Sequence, residues 1–560
     1  MSGSYEQHLR DIAGGERSIL TTGSGGGYRI ALVYPNRYHV AMSNLGFLSV
    51  YRLLAERYDV NVERATLPDP KDERSLKTSG NPIRTIESQR DLRSIDAILF
   101  SISFENDYIN VLKILRLSSI PIRSSDRTEG HPLVGAGGVA MMINPEALSP
   151  FIDFFALGEG EGLTDELTET LAAAKRGGLS REETLEELAE ISGVYVPSHF
   201  AVSYDASGVV EAIENLRGRP NRVPVRRLDE FNAAPFCSPL VTDATEFSDM
   251  LLVEMGRGCP YSCAFCGTKT VYGKVRHRPA EDIIEDIQRG ATIAGRVGLL
   301  GPAVASHPDF ISILRHIEGT GADLGLPSIR TETLDDDGIR LLAKLGVKTI
   351  TLAPETGTEH LRRKLGKAIR DEEIMELVVR AVDVGIMQFR LYFLIGVPGE
   401  TQDDRDGIVD LVKKIQHRVR TTTAGTKKVG RITASINPLV PKPHTPLMWM
   451  AMTEPKELMT RIRTLSKRLE KIGGVTVIYE PPKWSYLQCL LARADRRVAD
   501  ILEAVLDADE NWNAAMRKTP VNPDFYVLRE RDEHETFPWD ILDYGIDTSG
   551  LYARYRKIIS

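Results

Sequence analysis

The chain has 560 residues, of which 42% are hydrophobic and 26% charged, and its formal net charge is −8. This composition is typical of a folded protein of several domains and excludes a disordered, collagen-like or disulfide-stapled chain. The negative net charge argues against a protein that coats nucleic acid, and no apolar run is long enough to predict a membrane span. The polar N-terminus does not resemble a signal peptide, and five sparse cysteines indicate a metal or redox site in a reducing cytoplasm rather than disulfides.

The first part of the chain alternates short apolar runs with helical periodicity. Residues 1–27 are expected to be a polar, flexible lead-in, and residues 28–175 a doubly wound parallel sheet of the Rossmann-like α/β class. The predicted strands are Tyr28–Tyr34, Val60–Thr66, Ala97–Phe100, Pro132–Gly138 and Asp153–Leu157, with helices at Leu45–Tyr58, Asp107–Leu117 and from about 162 to 175.

Residues 176–245 have short β-like runs and an Arg/Pro-rich stretch, which predict a small β insert and linker. Strand–helix alternation returns in residues 246–450 and favours a partial (β/α)6 TIM barrel. Its predicted strands are Leu251–Met255, Arg296–Leu300, Gly325–Arg330, Thr349–Ala353, Gln388–Ile395 and Arg431–Ile436. Residues 451–560 are expected to form a mainly helical C-terminal extension that starts with two amphipathic helices.

Three of the five cysteines, Cys259, Cys263 and Cys266, lie within eight residues. Zinc sites usually have four ligands, and no fourth ligand lies at a convenient spacing in the sequence. Three thiolates on one tight loop instead suit three corners of a cubane iron–sulfur cluster with one iron left open. A zinc clip and inert buried thiols are the alternatives.

The CxxxCxxC loop, with Phe265 before its last cysteine, resembles the signature of the radical S-adenosylmethionine (radical SAM) superfamily. The resemblance implies a [4Fe-4S] cluster on Cys259, Cys263 and Cys266 whose open iron binds the amino and carboxylate groups of SAM. It also implies reductive cleavage of SAM to methionine and a 5′-deoxyadenosyl radical that abstracts hydrogen from a substrate, with an electron donor such as flavodoxin or ferredoxin. The loop follows a predicted barrel strand, and barrels of this kind hold their sites at the carboxyl ends of the strands.

Further candidate SAM contacts follow from the same resemblance. Gly301 stands where the superfamily usually has a Gly-Gly-Glu-like element, but the Glu is missing, so only backbone contacts carry over. Glu355 resembles a ligand of the ribose hydroxyls, although an acid at a helix N-terminus is favoured by the helix dipole alone. Gly396 resembles the glycine that passes the adenine, and Arg390 is a candidate for the SAM carboxylate or a packed structural residue.

The N-terminal domain, placed before such a barrel, resembles the cobalamin-binding domain of the B12-dependent radical SAM class. The resemblance rests on the glycine-rich strand ends and on the succession of Asn144, Glu146, Asp153 and the Gly158–Gly162 segment. It implies that the corrinoid tail is surrounded by Ser101, Ser103, Gly135, Gly137 and Gly138. The usual Asp-x-His-x-x-Gly is absent after the first strand, where Asn36 to His39 stand, so no axial histidine is expected.

Further similarity to a little-characterised bacterial radical SAM family lies in four segments, residues 42–46, 67–69, 439–449 and 537–540. Within the third, Lys442 and His444 either face substrate or belong to an exposed turn. Cys237 and Cys489 have no neighbouring ligands, which disfavours a second cluster and hence methylthiotransferase-like chemistry.

The sequence therefore predicts a radical SAM enzyme that uses cobalamin for methyl transfer to an unactivated carbon. One alternative keeps the radical chemistry but has a vestigial B12 domain, and the other is a non-catalytic iron–sulfur electron carrier or regulator. The sequence identifies no substrate, and nothing in it indicates a nucleic acid.

Overall fold

The computed structural model describes residues 2–20, 26–228, 231, 236–330, 334–422 and 430–560. Its strands in chain order are β1 Arg17–Ser18, β2 Tyr28–Tyr34, β3 Val60–Thr66, β4 Ala97–Ser101, β5 Leu133–Gly137, β6 Phe154–Ala156, β7 Val194–Tyr195, β8 Phe200–Tyr204, β9 Val210–Asn215, β10 Val223–Pro224, β11 Leu240–Val241, β12 Met250–Glu254, β13 Gly256–Arg257, β14 Arg276–His277, β15 Arg296–Leu300, β16 Asp323–Gly325, β17 Thr349–Glu355, β18 Gln388–Ile395, β19 Arg431–Pro438, β20 Val475–Tyr479 and β21 Leu542–Asp543.

The helices in chain order are α1 Ser2–Gly14, α2 Tyr38–Ala41, α3 Leu45–Ala55, α4 Pro70–Ser79, α5 Tyr108–Leu117, α6 Val139–Ile143, α7 Gly160–Gly177, α8 Arg181–Ala189, α9 Thr268–Tyr272, α10 Ala280–Gly290, α11 Phe310–Thr320, α12 Asp336–Lys344, α13 Glu359–Lys364, α14 Asp371–Asp383, α15 Gln402–Thr422, α16 Pro455–Leu469, α17 Pro482–Arg493, α18 Ala499–Asp507, α19 Trp512–Lys518, α20 Asp524–Val527 and α21 Thr548–Ile559. In the described part of the chain, none of these helices has the length and apolar character that crossing a bilayer requires.

The chain divides into two compact units, and the C-terminal region contributes to both. Unit 1 comprises residues 1–249, 490–526 and 534–546, and unit 2 comprises residues 250–489, 527–533 and 547–560. The residues of the predicted C-terminal extension, 451–560, are thus divided between the two units.

Unit 1 is built on a sheet with the strand order β3-β2-β4-β5-β6-β7. The strands pair in parallel from β3 to β6, and β7 closes one edge in the antiparallel direction. Strand β2 is buried along nearly its whole length, as expected for a central strand covered on both faces. The chain leaves β2 toward β3 on one side and returns to β4 on the other, so the carboxyl ends of β2 and β4 form a topological switch point.

Unit 2 holds parallel strands arranged as β12-β15-β16 in one sheet and β17-β18-β19-β20 in another. Residues of β18 that are buried against the helices alternate with exposed or half-buried ones on the opposite face. This succession of parallel βα units confirms the predicted barrel-like α/β class. It also adds β20, a seventh strand in the described residues, which pairs with β19 where the sequence predicts only helices.

Most predicted elements are confirmed, and the differences have physical reasons. The lead-in contains α1 and β1, and β1 pairs with β11, while residues 21–25 lie outside the described residues. The predicted β insert also contains a helix, α8, which begins after a capping box formed by Ser180 and Glu183. The strand predicted at Gly325–Arg330 is displaced: the observed β16 spans Asp323–Gly325. It ends before Pro327, which has no backbone N–H to donate to a neighbouring strand.

Candidate functional site

The three-cysteine loop of unit 2 starts at the carboxyl edge of β12. Strand β13 pairs antiparallel with β14, and the loop from Gly258 to Gly267 leads into α9. Gly258 has φ +76°, and a Cβ there would collide with the carbonyl of Lys274, so only glycine permits this turn. Ala264 is fully buried, and its N–H donates to the Leu365 carbonyl at 2.8 Å, which fixes the middle of the loop.

The cysteine sulfurs sit in graded environments. Cys259 and Cys263 are half-buried and Cys266 is exposed. Burial raises the pKa of the Cys259 and Cys263 thiols, and Cys266 lies close enough to interact electrostatically with both of them. Lys367 and Arg330 act on Cys263 in the opposite direction and favour its thiolate.

The donor set fits an iron–sulfur cluster. In the residues that the structure describes, no three His, Cys, Asp or Glu side chains are grouped as around a single metal ion. A cubane distributes three thiolates over three different irons, so its cysteines need not meet at one point. Three thiols that reach solvent to different degrees on one loop have the donor chemistry for that arrangement.

Glu355, at the end of β17, is the centre of a buried charged group. It accepts a hydrogen bond from Lys367 Nζ at 2.5 Å, and both side chains are only 10% exposed. Burial raises the pKa of Glu355, while Lys367 and Arg330 oppose the shift. Its backbone has φ +66°, which is unusual for a residue with a side chain and is found most often at functional sites.

Arg330 extends this group toward the cysteine loop. Its guanidinium carbon lies 3.5 Å from the centre of the Tyr261 ring, and Tyr261 stands between Cys259 and Cys263. Such a contact combines cation–π attraction with stacking. Lys367, Arg330 and Tyr261 are therefore site residues that the sequence did not identify, since no motif marks them and only the fold brings them together.

The other predicted SAM contacts have different placements. Phe265 is half-buried within the loop. Gly301 follows β15 with φ +154°, and a Cβ there would lie 3.2 Å from the carbonyl oxygen of Gly256. Gly396 has φ +85°, and a Cβ there would lie 2.9 Å from Leu458, so packing alone already requires a glycine. Arg390 is exposed and pairs with Thr351, toward the amino end of β18.

The carboxylate of Glu400 orders the turn that contains Gly396. It accepts hydrogen bonds from the Gly396 N–H at 3.2 Å, from Arg405 at 3.2 Å and from Arg461 at 2.8 Å. Burial raises the pKa of Glu400, and the two arginines oppose the shift. The three hydrogen bonds therefore give this carboxylate a structural role, which is to hold the turn.

The segment that contains Lys442 and His444 is not an exposed turn. His444 is 7% exposed, and its carbonyl accepts a hydrogen bond from Thr270 of α9 at 2.9 Å. Lys442 interacts with Glu480, whose pKa burial raises. The segment therefore packs against α9, the helix that follows the cysteine loop. Contact of the Lys442 and His444 side chains with substrate stays a prediction.

In unit 1, the polar residues at the switch point surround a buried carboxyl group. Asp107 accepts hydrogen bonds from Asn36 at 2.8 Å and Asn110 at 3.4 Å, and burial raises its pKa to about 7. Ser103 accepts a hydrogen bond from Asn44, the N-cap of α3, at 3.1 Å. The sequence predicts Asp107 only as a helix start and gives no sign of its burial.

The predicted corrinoid contacts divide into edge residues and packing residues. Ser101, Ser103, Gly137 and Gly138 are half-buried at the carboxyl edge of β4 and β5. Packing explains two of the glycines. Gly135 is buried inside β5, where a Cβ would collide with the ring of Phe154, and a Cβ at Gly138, which has φ +101°, would collide with the carbonyl of Ile102.

Asn144 and Glu146, which begin the segment that resembles the cobalamin-binding class, have structural roles. Asn144 donates to the carbonyls of Ala492 and Ala494 at 3.1 and 2.8 Å. Glu146 accepts hydrogen bonds from Tyr195 at 2.5 Å and Arg496 at 2.9 Å. These buried groups anchor the C-terminal segment of unit 1.

Cys237 and Cys489 are both fully buried, and Cys237 accepts a hydrogen bond from Arg52 at 3.6 Å. His39 is half-exposed beside Glu246, at 3.4 Å.

Comparison with known proteins identifies two family models. The model described as "Radical SAM proteins, N-terminal" matches residues 46–197, and the model described as "Radical SAM superfamily" matches residues 253–412. The chain is 27% identical over 478 residues to the uncharacterized protein MJ0966 of Methanocaldococcus jannaschii, covering 85% of this chain and 90% of that protein.

Other relatives match less of the chain. A tRNA-2-methylthio-N(6)-dimethylallyladenosine synthase of Carboxydothermus hydrogenoformans is 27% identical over 202 residues, which is 33% of this chain and 45% of that enzyme. Among solved structures, the radical S-adenosylmethionine methyltransferase TsrM of Kitasatospora setae, with cobalamin and a [4Fe-4S] cluster bound, matches with a TM-score of 0.48 and 18% identity over 75% of this chain and 74% of that one.

Proposed function

Since residues 253–412 match the family model described as "Radical SAM superfamily", we propose that the protein is a radical SAM enzyme whose [4Fe-4S] cluster is bound by Cys259, Cys263 and Cys266. When bound, the cluster supplies one electron for the reductive cleavage of SAM to methionine and a 5′-deoxyadenosyl radical that abstracts hydrogen from the substrate. The chain's own residues supply the thiolates, the turns that admit SAM and the charged group beside it.

One observation carries the proposal. Cys263, on a loop that carries all three cysteines, interacts electrostatically with a buried Glu355–Lys367 pair at the end of another parallel strand. Carboxyl ends of parallel strands in such folds are where ligands bind. An iron–sulfur electron carrier has no need of a second, buried, charged group at that edge.

The role of Glu355 follows from its surroundings. Its carboxyl group offers acceptor oxygens for hydroxyl groups, and Lys367 orients it and favours its charged form against the effect of burial. We propose that it accepts hydrogen bonds from the SAM ribose.

The decisive experiment is anaerobic reconstitution with iron and sulfide, followed by reduction in the presence of SAM and detection of 5′-deoxyadenosine by mass spectrometry. The expected result is product from the unaltered protein and from Cys489→Ala, and none from Cys263→Ala. An intact, reducible cluster that yields no 5′-deoxyadenosine would leave the electron carrier or regulator as the function.

We further propose that unit 1 binds a corrinoid at the carboxyl edge of its sheet and that the reaction is a methyl transfer. The edge has small or hydroxyl-bearing residues at Ser101, Ser103, Gly137 and Gly138, and beside them the ring of Phe104 is 39% exposed. A switch point of a doubly wound sheet is the usual place for a nucleotide-like ligand. The usual Asp-x-His-x-x-Gly is absent from the segment Asn36 to His39, so that motif would supply no histidine to a bound corrinoid.

Corrinoid binding is tested separately from SAM cleavage. Protein mixed with hydroxocobalamin and then desalted should keep one equivalent with a corrinoid spectrum, and Ser101→Leu, which places a bulky side chain at the half-buried end of β4, should lose it. A corrinoid-free protein that still forms 5′-deoxyadenosine would favour non-methylating radical chemistry with a vestigial domain.

A further inference from the structure

We infer that Arg554, near the C-terminus, is a positioning residue for the three-cysteine loop and an electrostatic determinant of how readily the cluster is reduced. The inference rests on the proposed function, since it assumes a cluster at that loop. It concerns residues that no motif marks, because Arg554 lies almost 300 positions beyond the loop in the sequence.

Helix α21 is fixed within unit 2 by aromatic packing. The indole of Trp449, a side chain 1% exposed, meets the ring of Tyr552 edge-on at 5.1 Å and stacks on Tyr555 at 6.0 Å. The Tyr555 hydroxyl donates to Glu530 at 2.6 Å. The helix is therefore a fixed platform for the side chains on its inner face.

From this platform, Arg554 reaches the cysteine loop. Its Nη2 donates a hydrogen bond to the carbonyl of Ser262, the residue directly before Cys263. Gly366 lies against the same two groups, with φ +75°, and a Cβ there would lie 2.7 Å from the Ser262 carbonyl. The absence of a side chain at Gly366 thus leaves the space in which the guanidinium meets the loop.

The contact completes a set of anchors around the loop. Lys269 Nζ donates to the Ser262 hydroxyl at 2.7 Å, and the Ala264 N–H donates to the Leu365 carbonyl at 2.8 Å. The guanidinium is the anchor that comes from outside the barrel strands and their helices. Ser262 is thus held at its carbonyl by Arg554 and at its hydroxyl by Lys269, which restrains the direction in which the next residue, Cys263, presents its sulfur.

The guanidinium also brings a positive charge to Cys263, with which it interacts electrostatically. Adding an electron to a cluster makes it more negative, and a nearby cation stabilises the reduced form most. Loss of Arg554 should therefore both loosen the loop and make reduction less favourable.

The test compares Arg554→Met with Arg556→Met in the full-length protein. Arg556 is an exposed residue of the same helix, so its substitution removes an equal charge away from the Ser262 contact. In reconstituted protein, Arg554→Met should lose iron to a chelator several-fold faster than wild type. Its ratio of reduced to oxidised cluster at a fixed potential should fall about three- to tenfold, where tenfold corresponds to 59 mV for one electron.

A further variant separates the clamp from a general loss of folding. Arg554→Lys retains the charge and should restore most of the reduction equilibrium. Equal iron loss and equal reduction in Arg554→Met, Arg556→Met and wild type would overturn the inference.

A metal-free measurement keeps this inference distinct from the proposed function. Hydrogen–deuterium exchange of residues 258–267 in the apoprotein should be faster in Arg554→Met than in Arg556→Met. If wild type takes up no iron, the proposed function fails while this exchange still decides whether Arg554 holds the loop. Unchanged exchange would refute the clamp.

Discussion

The buried carboxyl of Asp107 is expected to destabilise the protein increasingly as the pH rises. Burial raises its pKa from 3.8 to about 7, and the hydrogen bonds from Asn36 and Asn110 only partly oppose this. Between these two values the unfolded chain has released the proton while the folded chain still binds it. The unfolded state therefore binds fewer protons, and stability falls as the pH rises from about 4 to 7.

The magnitude follows from the two pKa values. Treating Asp107 as an isolated group, the ionisation penalty in the folded state is about 4 kcal/mol at pH 8 and about 2 kcal/mol at pH 5. Asp107→Asn retains an acceptor oxygen for the two asparagines and removes the ionisation. It should therefore stabilise the protein at pH 8 by about 2 kcal/mol more than at pH 5.

Urea denaturation at pH 5, 6.5 and 8, followed by circular dichroism, measures this difference. Asp205→Asn is a suitable control, because that carboxylate is at an exposed turn of the same unit and its pKa is lowered by hydrogen bonds. A stability gain for Asp107→Asn that is the same at all three pH values, or a loss that grows with pH, would refute the burial argument.

Two further predictions concern packed groups. Lys367→Met should destabilise the protein by about 3–5 kcal/mol, because it leaves the buried Glu355 carboxylate without its cation, and adding Glu355→Gln should recover much of that loss. Denaturation of the two single variants and the double variant measures the coupling free energy between the two side chains, and additive effects would contradict this prediction. Gly135→Ala should lower the free energy of unfolding by about 1–3 kcal/mol, because its methyl group has no space beside the ring of Phe154, and Gly137→Ala should lower it less. Equal shifts of the melting temperature in the two variants would show that packing does not require Gly135.

The local sequence determined most of the secondary structure, and it also predicts which cysteines would hold a cluster. Runs such as Tyr28–Tyr34 and Gln388–Ile395 coincide with observed strands, because apolar residues bounded by turn residues have few other ways to be buried. The spacing of the three cysteines also requires only a single loop. Both signals are short-range, so they are readable from the chain alone.

Tertiary structure decided which distant residues share the site. Lys367 reaches Glu355, and Arg554 reaches Ser262, although no sequence periodicity links the members of either pair. Tertiary structure likewise decided that Gly135 and Asn144 pack against their own unit, although their motifs suggest a ligand. A motif records only residue types. The atoms that folding brings against a glycine decide whether it leaves space for a ligand or for a phenyl ring, and the atoms around a carboxyl group likewise set its pKa.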